Sequence, residues 1–457
     1  MGIVIISERR WNTLKKRLAA LIALLLAALV LAEPLQARTA GEAPSSGETP
    51  GALRQTASVT ILVDGEPVDF GNAGPVIEQD RTLAPAAPLF EKLNIRLEES
   101  PVETEDAGGQ EPAADTTALV VGTKLGLVAV FQPDAPEAFI NGETVELPVP
   151  ARHRDGQLYI PVRLVAEAAG YNVGWDADSR TVTLVRRTGG KGFIWEVRSD
   201  TATVYLVGSI HMADERLYPL PPSFEEAFDA AEAIGFEVDL RNALSPEGLQ
   251  LSMQAVQLTD GTTLRDHVSA ETYQLLTERL AELGFPENAL DSLKPWAAAQ
   301  FLANAAMADI GIVAAQGIEM VFLVGVEARQ LPVFELESLA FQLELFDRFS
   351  PELQERQLLE SLQADKGLEQ LAAFLDAWVA GDDAMLAQRA DASKEEDEEY
   401  YRLMLAERNH AMAEKIRAIL DADESPVSVI VVGALHMLGE DGIVTLLEKD
   451  GYTVIRR

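Results

Sequence analysis

The sequence predicts an α/β C-terminal domain, a mixed sheet with many helices, preceded by a smaller α+β module of two repeats. Three observations carry this prediction. Strand-like and helix-like segments alternate from residue 193 onward, the pattern of an α/β domain. An internal repeat occupies the region before it. A basic, glycine-rich stretch, Arg186-Arg187-Thr188-Gly189-Gly190-Lys191-Gly192, separates the two and reads as a hinge. The chain has 457 residues, a soft prior of two to three domains at roughly 150 residues each. Hydrophobic residues make up 47%, enough for packed cores. Against 37 Lys and Arg stand 73 Asp and Glu, a net charge of −36. Such a polyanion repels phosphate backbones, so nucleic acid is excluded as a partner. Cysteine is absent, which excludes disulfides, thiol nucleophiles and cysteine-ligated metal centres.

From the N-terminus, residues 1–32 read as a signal peptide or membrane anchor. Lys15, Lys16 and Arg17 precede an apolar run from Leu18 to Ala32. The run is short for a full span, which needs about 20 residues. Cleavage after Ala32 and retention as an anchor both stay open. The expected location is therefore exported: extracellular, at the cell surface, or membrane-anchored facing outward, touching the membrane only through this segment. Residues 33–56 hold Pro34, Pro44 and Pro50 without apolar periodicity and read as a linker.

The module at 57–187 follows. Ile61-Leu62-Val63-Asp64-Gly65-Glu66-Pro67-Val68 echoes Phe139-Ile140-Asn141-Gly142-Glu143-Thr144-Val145. Later in each copy, Arg81-Thr82-Leu83-Ala84-Pro85 matches Gln157-Leu158-Tyr159-Ile160-Pro161. Asp-Gly and Asn-Gly mark tight turns between strands, and each proline introduces a helix. Each copy is thus a hairpin, a helix and a strand. Between them, residues 98–115 hold seven acids and no base, an acidic insertion. These residues resemble the copper amine oxidase N-terminal-like domain. The second copy, from Ala138 through YIPVRLVAEAAGYNVGWDADSRTVTL, carries the likeness most fully, whereas Ala86 and Ala87 replace the usual arginine in the first. The resemblance implies a stalk or cell-wall association without a copper site, dispensable for the chemistry of the next domain. His153, beside Arg152 and Arg154, reads as a solvated turn residue.

In 193–457, Val204–Val207 reads as a buried strand and Ser223–Ala233 as a helix capped by Ser223. Ile234–Leu240, Leu331–Leu336, Val427–Val432 and Tyr452–Ile455 read as further strands, with helices over most of 245–310 and 339–420. Two strands end alike, in Gly208-Ser209-Ile210-His211 and Gly433-Ala434-Leu435-His436. The glycine is expected to permit a tight turn, and the histidine to reach the mouth of the sheet, where α/β folds bind ligands. No HExxH, GxSxG, P-loop or dinucleotide fingerprint is present.

The paired GxxH motifs, with IWEV near Trp195, LKPW at Leu293–Trp296, ELES at Glu335–Ser338, ERN at Glu407–Asn409 and the terminal GYTV, resemble the TraB/GumN family, which includes the TIKI proteases. The likeness spans 193–457. It implies a fold related to TIKI and erythromycin-esterase-like enzymes, and a metal-dependent hydrolase acting on a peptide or small-molecule substrate. Carried over, His211, His436 and Glu237 become metal ligands, with Glu237 alternatively the general base. Glu337 is the second carboxylate, and Glu319 a weaker candidate. Arg408 and Asn409 would hold a substrate carboxylate or an oxyanion, unless Arg408 is instead spent on a buried ion pair. His410 and His267 are expected away from the site. Mixed nitrogen and oxygen ligation suits a divalent ion, manganese, cobalt or zinc, whose bound water would attack a carbonyl. The expected function is an exported metal-dependent peptidase. The alternative is a non-catalytic surface protein that captures a peptide or wall fragment in the same pocket.

Overall fold

The computed structural model describes residues 59–457 except 101–118, 155, 212, 310–316 and 424–425. The expected leader and linker, and nearly all of the acidic insertion, lie outside the described residues. The chain forms an N-terminal region of small sheets with short helices and a C-terminal region of many helices around a mixed sheet.

In the N-terminal region, chain order runs β1 (Thr60–Val63), β2 (Glu66–Pro67), β3 (Val76–Glu78), β4 (Arg81–Pro85) and β5 (Arg96–Ser100). Next come β6 (Leu119–Lys124), β7 (Leu127–Phe131), β8 (Glu137–Ile140) and β9 (Glu143–Glu146). The last are β10 (Arg152–Arg154), β11 (Gln157–Pro161), β12 (Tyr171–Asp176) and β13 (Thr181–Arg186). The β1–β2 turn has φ 49° at Asp64 and 87° at Gly65, and the β8–β9 turn 48° at Asn141 and 77° at Gly142. Two successive positive φ values are what a two-residue hairpin demands, so the repeat is geometric as well as sequential. Pro85 and Pro161 end β4 and β11 and open the helices Ala86–Lys92 and Val162–Ala168. The copies interleave: β4 pairs antiparallel with β11, Ala84 opposite Ile160. Their apolar faces, Leu89 and Phe90 from one helix and Val165 and Ala166 from the other, share one core. His153 sits on β10 rather than in a turn, and is exposed as expected.

The C-terminal sheet contains β14 (Phe193–Arg198), β15 (Thr203–Ser209), β16 (Ala233–Phe236), β17 (Val333–Glu335), β18 (Ser428–Gly433) and β19 (Thr453–Arg456). Their order is β17-β16-β18-β15-β14-β19. The first four are mutually parallel; β14 alone runs against them, and β19, antiparallel to β14, runs with them again. Parallel strands need both faces covered, and Val204, Leu206, Ile234, Val429 and Ile430 are all buried.

Several sequence expectations need correction. The helix after β15 is Pro222–Ala230, with proline in its first turn, and Ser223 does not cap it. The strand from Ile234 stops at Phe236, because Asp239 accepts from Arg241 N at 3.0 Å and starts the short helix Leu240–Ala243. Neither Gly208 nor Gly433 has a positive φ. Each is small for proximity: a Cβ on Gly208 would meet Phe193 Cβ at 2.9 Å. The stretch expected as a hinge is packed. A Cβ on Gly189 would lie 2.2 Å from Pro219 O, and one on Gly190 2.7 Å from the Trp378 ring. Finally, among the described residues no helix is long and apolar enough to cross a membrane. The longest, Ala364–Ala380, has 17 residues and carries Asp365, Lys366, Glu369 and Asp376. The described residues therefore hold no helix that could supply the expected membrane contact or membrane-anchored location. The run 18–32 that prompted them lies outside the described residues.

Candidate functional site

The four parallel strands deliver their carboxyl ends to one edge of the sheet. Glu337 follows β17, Glu237 follows β16, His436 follows β18 and His211 follows β15. β15 and β18 are in register with Gly208 opposite Val432 and Ser209 opposite Gly433, so the two histidines arrive side by side. Open parallel sheets bind ligands at this edge. Two helices complete the cluster. Glu407–Leu420 contributes Arg408 and Asn409, and Ile318–Arg329 contributes Glu319 from its first turn.

Arg408 is buried and fully engaged. Its Nε donates to Glu337 Oε1 at 2.9 Å, and its Nη2 to Glu337 Oε2 at 2.7 Å and Glu237 Oε2 at 2.9 Å. Its Nη1 donates to Met404 O at 3.1 Å. Met404 lies in a π-helical turn, Arg402–Ala406, directly before this helix; such a turn loosens the regular backbone ladder. Of the two roles open to Arg408, the structure brings out the ion pair. Gln342, from the helix Leu339–Asp347, donates to Glu337 Oε2 at 2.9 Å and Glu237 Oε2 at 3.2 Å. Glu237 Oε1 accepts from Gly433 N at 2.6 Å.

His436 is buried, with Nδ1 2.5 Å from Asn409 Oδ1. The amide oxygen fixes the ring proton on Nδ1 and leaves the Nε2 lone pair facing inward, 3.8 Å from Glu237 Oε1. His211 stands at the mouth, its side chain 66% exposed, with Nδ1 2.8 Å from Glu319 Oε1. Ser209 Oγ also donates to that oxygen. A Cβ added to Gly433 would lie 3.2 Å from Glu237 Oε1, 3.5 Å from His436 Cδ2 and 3.7 Å from His211 Nε2. The three groups therefore surround one small space above a residue without a side chain.

The metal expectation fails on this arrangement. Among the described residues, no group of three or more His, Cys, Asp or Glu side chains is placed to hold a metal ion. Glu237 spends one oxygen on Gly433 N–H and the other on Arg408, while Glu337 is bound by Arg408 and Gln342. The proposed ligand set His211, His436 and Glu237 is corrected, and with it the manganese, cobalt or zinc cofactor and the metal-activated water of a hydrolase. The other histidines stand apart as expected: His410 is exposed beside Asp441, and His267 is exposed beside Thr262. Gln342, Ser209 and the Gly433 amide were missed. Ser209 and Gly433 stand inside the two GxxH motifs, and Gln342 stands four residues beyond the helix cap Ser338.

The electrostatics separate the two imidazoles. The Glu319 carboxylate against His211 raises its pKa to about 9. Burial lowers that of His436 to about 3, so it is neutral at pH 7. Burial alone would raise Glu237, but His436, Arg408, His211 and the Gly433 N–H outweigh it and hold the carboxyl at about 2. The raised His211 contributes stability that is complete below its ordinary 6.5 and lost as pH rises through about 9. The lowered His436 acts oppositely: the unfolded chain takes up a proton below 6.5 that the folded ring refuses down to about 3. Its contribution is lost as pH falls through that window, followed by that of Glu237 below its ordinary 4.5. Urea midpoints measured against pH should therefore show His211→Gln flattening the alkaline limb and His436→Gln the acid limb. An alkaline limb unchanged in His211→Gln would mean that the pair with Glu319 does not form in solution.

Comparison with known proteins bears on this domain. Residues 193–456 match the model of the TraB/PrgY/gumN family, and residues 62–184 match that of the copper amine oxidase N-terminal domain. The uncharacterised protein YbaP of Escherichia coli (strain K12) is 25% identical over 247 residues, covering 53% of this chain and 87% of YbaP. The YbaP of Shigella flexneri matches to the same extent. No solved structure matches the chain significantly.

Proposed function

Since the chain belongs to the TraB/PrgY/gumN family, we propose that the space between its two GxxH turns is a ligand pocket that binds peptide without cleaving it. One observation carries this reading: the carboxylates and the guanidinium are spent on one another, leaving the two imidazoles with free edges on a shared space. Glu237 and Glu337, both bound to Arg408, are poorly suited to act as a general base. A peptide group presents one acceptor and one donor. The His211 Nε2–H would donate to the carbonyl oxygen, and the His436 Nε2 lone pair, beside Glu237 Oε1, would accept from an amide N–H. Asn409 holds the tautomer this requires, while Arg408 and Glu337 hold Glu237 in place. The division at about residue 187–193 and the finer kinship to TIKI and erythromycin-esterase-like folds belong to the same proposal, supported by the mixed sheet with its paired strand-end histidines.

The test uses the chelator-treated full chain and a fluorescent pool of random octapeptides. Saturable binding unaffected by chelator is expected, with every peptide recovered intact by mass spectrometry. His211→Ala should weaken binding about tenfold or more, the worth of one hydrogen bond to a charged donor. Cleaved peptides, or no binding at all, would overturn the proposal.

A further inference from the structure

The helix Ile318–Arg329, sequence IEMVFLVGVEAR, is apolar on almost every face. Such a helix must be covered on both sides. On the inner side Ile318, Phe322 and Val326 join the core of the C-terminal sheet, with the Phe322 and Phe228 rings edge to face at 5.9 Å. The cover on the outer side comes from the N-terminal region. The tip of the β6–β7 hairpin, Leu125-Gly126, reaches across to this helix. Leu125 is only 8% exposed and belongs to the core of the C-terminal domain rather than to that of its own. Gly126 supplies the positive φ of 78° that the turn needs, and a Cβ there would lie 3.4 Å from Val321 Cγ1, an ordinary contact distance that places the turn against the helix.

A buried ion cluster fixes the hairpin beside that contact. Lys124, at the end of β6, lies 3.1 Å from Glu225 Oε2. Arg186, the last residue of β13, lies 2.7 Å from Glu225 Oε1. Glu225 belongs to the helix Pro222–Ala230, so both cations come from one region and the anion from the other. Buried charges held this way resist separation, because either partner left alone is desolvated and uncompensated. Two residues before Val321 on the same helix stands Glu319, whose carboxylate holds His211.

We infer that the N-terminal module is a positioning element for the His211–Glu319 pair: the Leu125-Gly126 tip, seated against the helix at Val321, fixes where Glu319 stands. The module is then no detachable stalk, against the sequence expectation that its removal leaves the site intact. The inference rests on the reading of His211 as a pocket residue only for its biological meaning. Its test reads geometry without ligand, so its failure and the failure of that reading are distinguishable.

The experiment uses the full chain with 15N-labelled histidine at one fixed pH, following the His211 Nδ1–H resonance together with amide exchange over residues 318–322. Leu125→Ala and Val321→Ala open the contact from its two sides, Leu125→Met refills it, and Leu276→Ala loosens an unrelated cluster. In both contact variants the resonance should be lost and exchange should speed about tenfold or more. Leu125→Met should restore both, and Leu276→Ala should change neither. Should Leu125→Ala fail to fold, the milder Val321→Ala decides alone. An unchanged resonance and unchanged exchange in folded Val321→Ala would overturn the inference, as would the same loss in Leu276→Ala.

Discussion

Replacing Gly433 by valine is expected to weaken peptide binding about a hundredfold, with Glu237 shifting by a few tenths of an ångström to admit the side chain. The backbone at Gly433, φ −49° and ψ 134°, is open to any L-residue, so the substitution brings no conformational strain. β-Branched residues suit a strand end. The first added carbon would stand 3.2 Å from Glu237 Oε1, and the two methyl groups beyond it would enter the space that Glu237, His436 and His211 share. A loss of about a hundredfold in affinity corresponds to about 2.7 kcal/mol, the scale of a principal contact removed. Gly433→Ala should fall between wild type and valine. The measurement is anisotropy of the labelled peptide pool, with urea unfolding as the control on the fold. Wild-type affinity in the valine variant would place the pocket elsewhere.

Arg408→Ala should be the most destabilising single change at the site. Removing the guanidinium leaves Glu237 and Glu337 buried together with only Gln342 between them. Breaking a buried pair in this way costs about 3–5 kcal/mol, because the abandoned charges have no water to turn to. Arg408→Lys should rescue little. One ammonium cannot reproduce the planar fork that meets Glu337, Glu237 and the Met404 carbonyl at once. Glu337→Gln added to Arg408→Ala should recover part of the loss by removing one of the stranded charges. Urea midpoints at unchanged slope are the readout. A cost below about 1 kcal/mol for Arg408→Ala would put the cluster in solvent, where ion pairs contribute little.

What the sequence made legible here is what local signals carry. Asp64-Gly65 and Asn141-Gly142 announce their hairpins because a two-residue turn imposes its own chemistry. His211 and His436 were recognisable because each ends a buried strand, and strand ends in a parallel sheet meet. The partners of those residues were hidden. Glu319 meets His211, and Arg408 meets Glu237 and Glu337, across large sequence separations. Which of two chemically sensible roles Arg408 takes depends on where a distant helix is laid down. The same limit explains the metal expectation: residue types fit a metal centre, and only the hydrogen bonds made by each oxygen reveal that they are already spent. Gly208 and Gly433 were read as turns, yet what they supply is proximity between neighbouring segments, which no local pattern records.

The position of β18 has a consequence for how the chain comes to hold a site at all. It lies between β16 and β15, yet it is the last of the three to be synthesised, beginning at Ser428 when β16 has ended at Phe236. Until it emerges, β15 and β16 face a gap, each with an unpaired edge and apolar side chains awaiting cover, the condition in which nascent chains associate wrongly. Its arrival fills the gap between β16 and β15 and brings His436 beside His211 in one event. The candidate site is therefore a late product of synthesis, and a chain shortened before residue 428 would lack both that site and the strand that joins the two halves of the sheet.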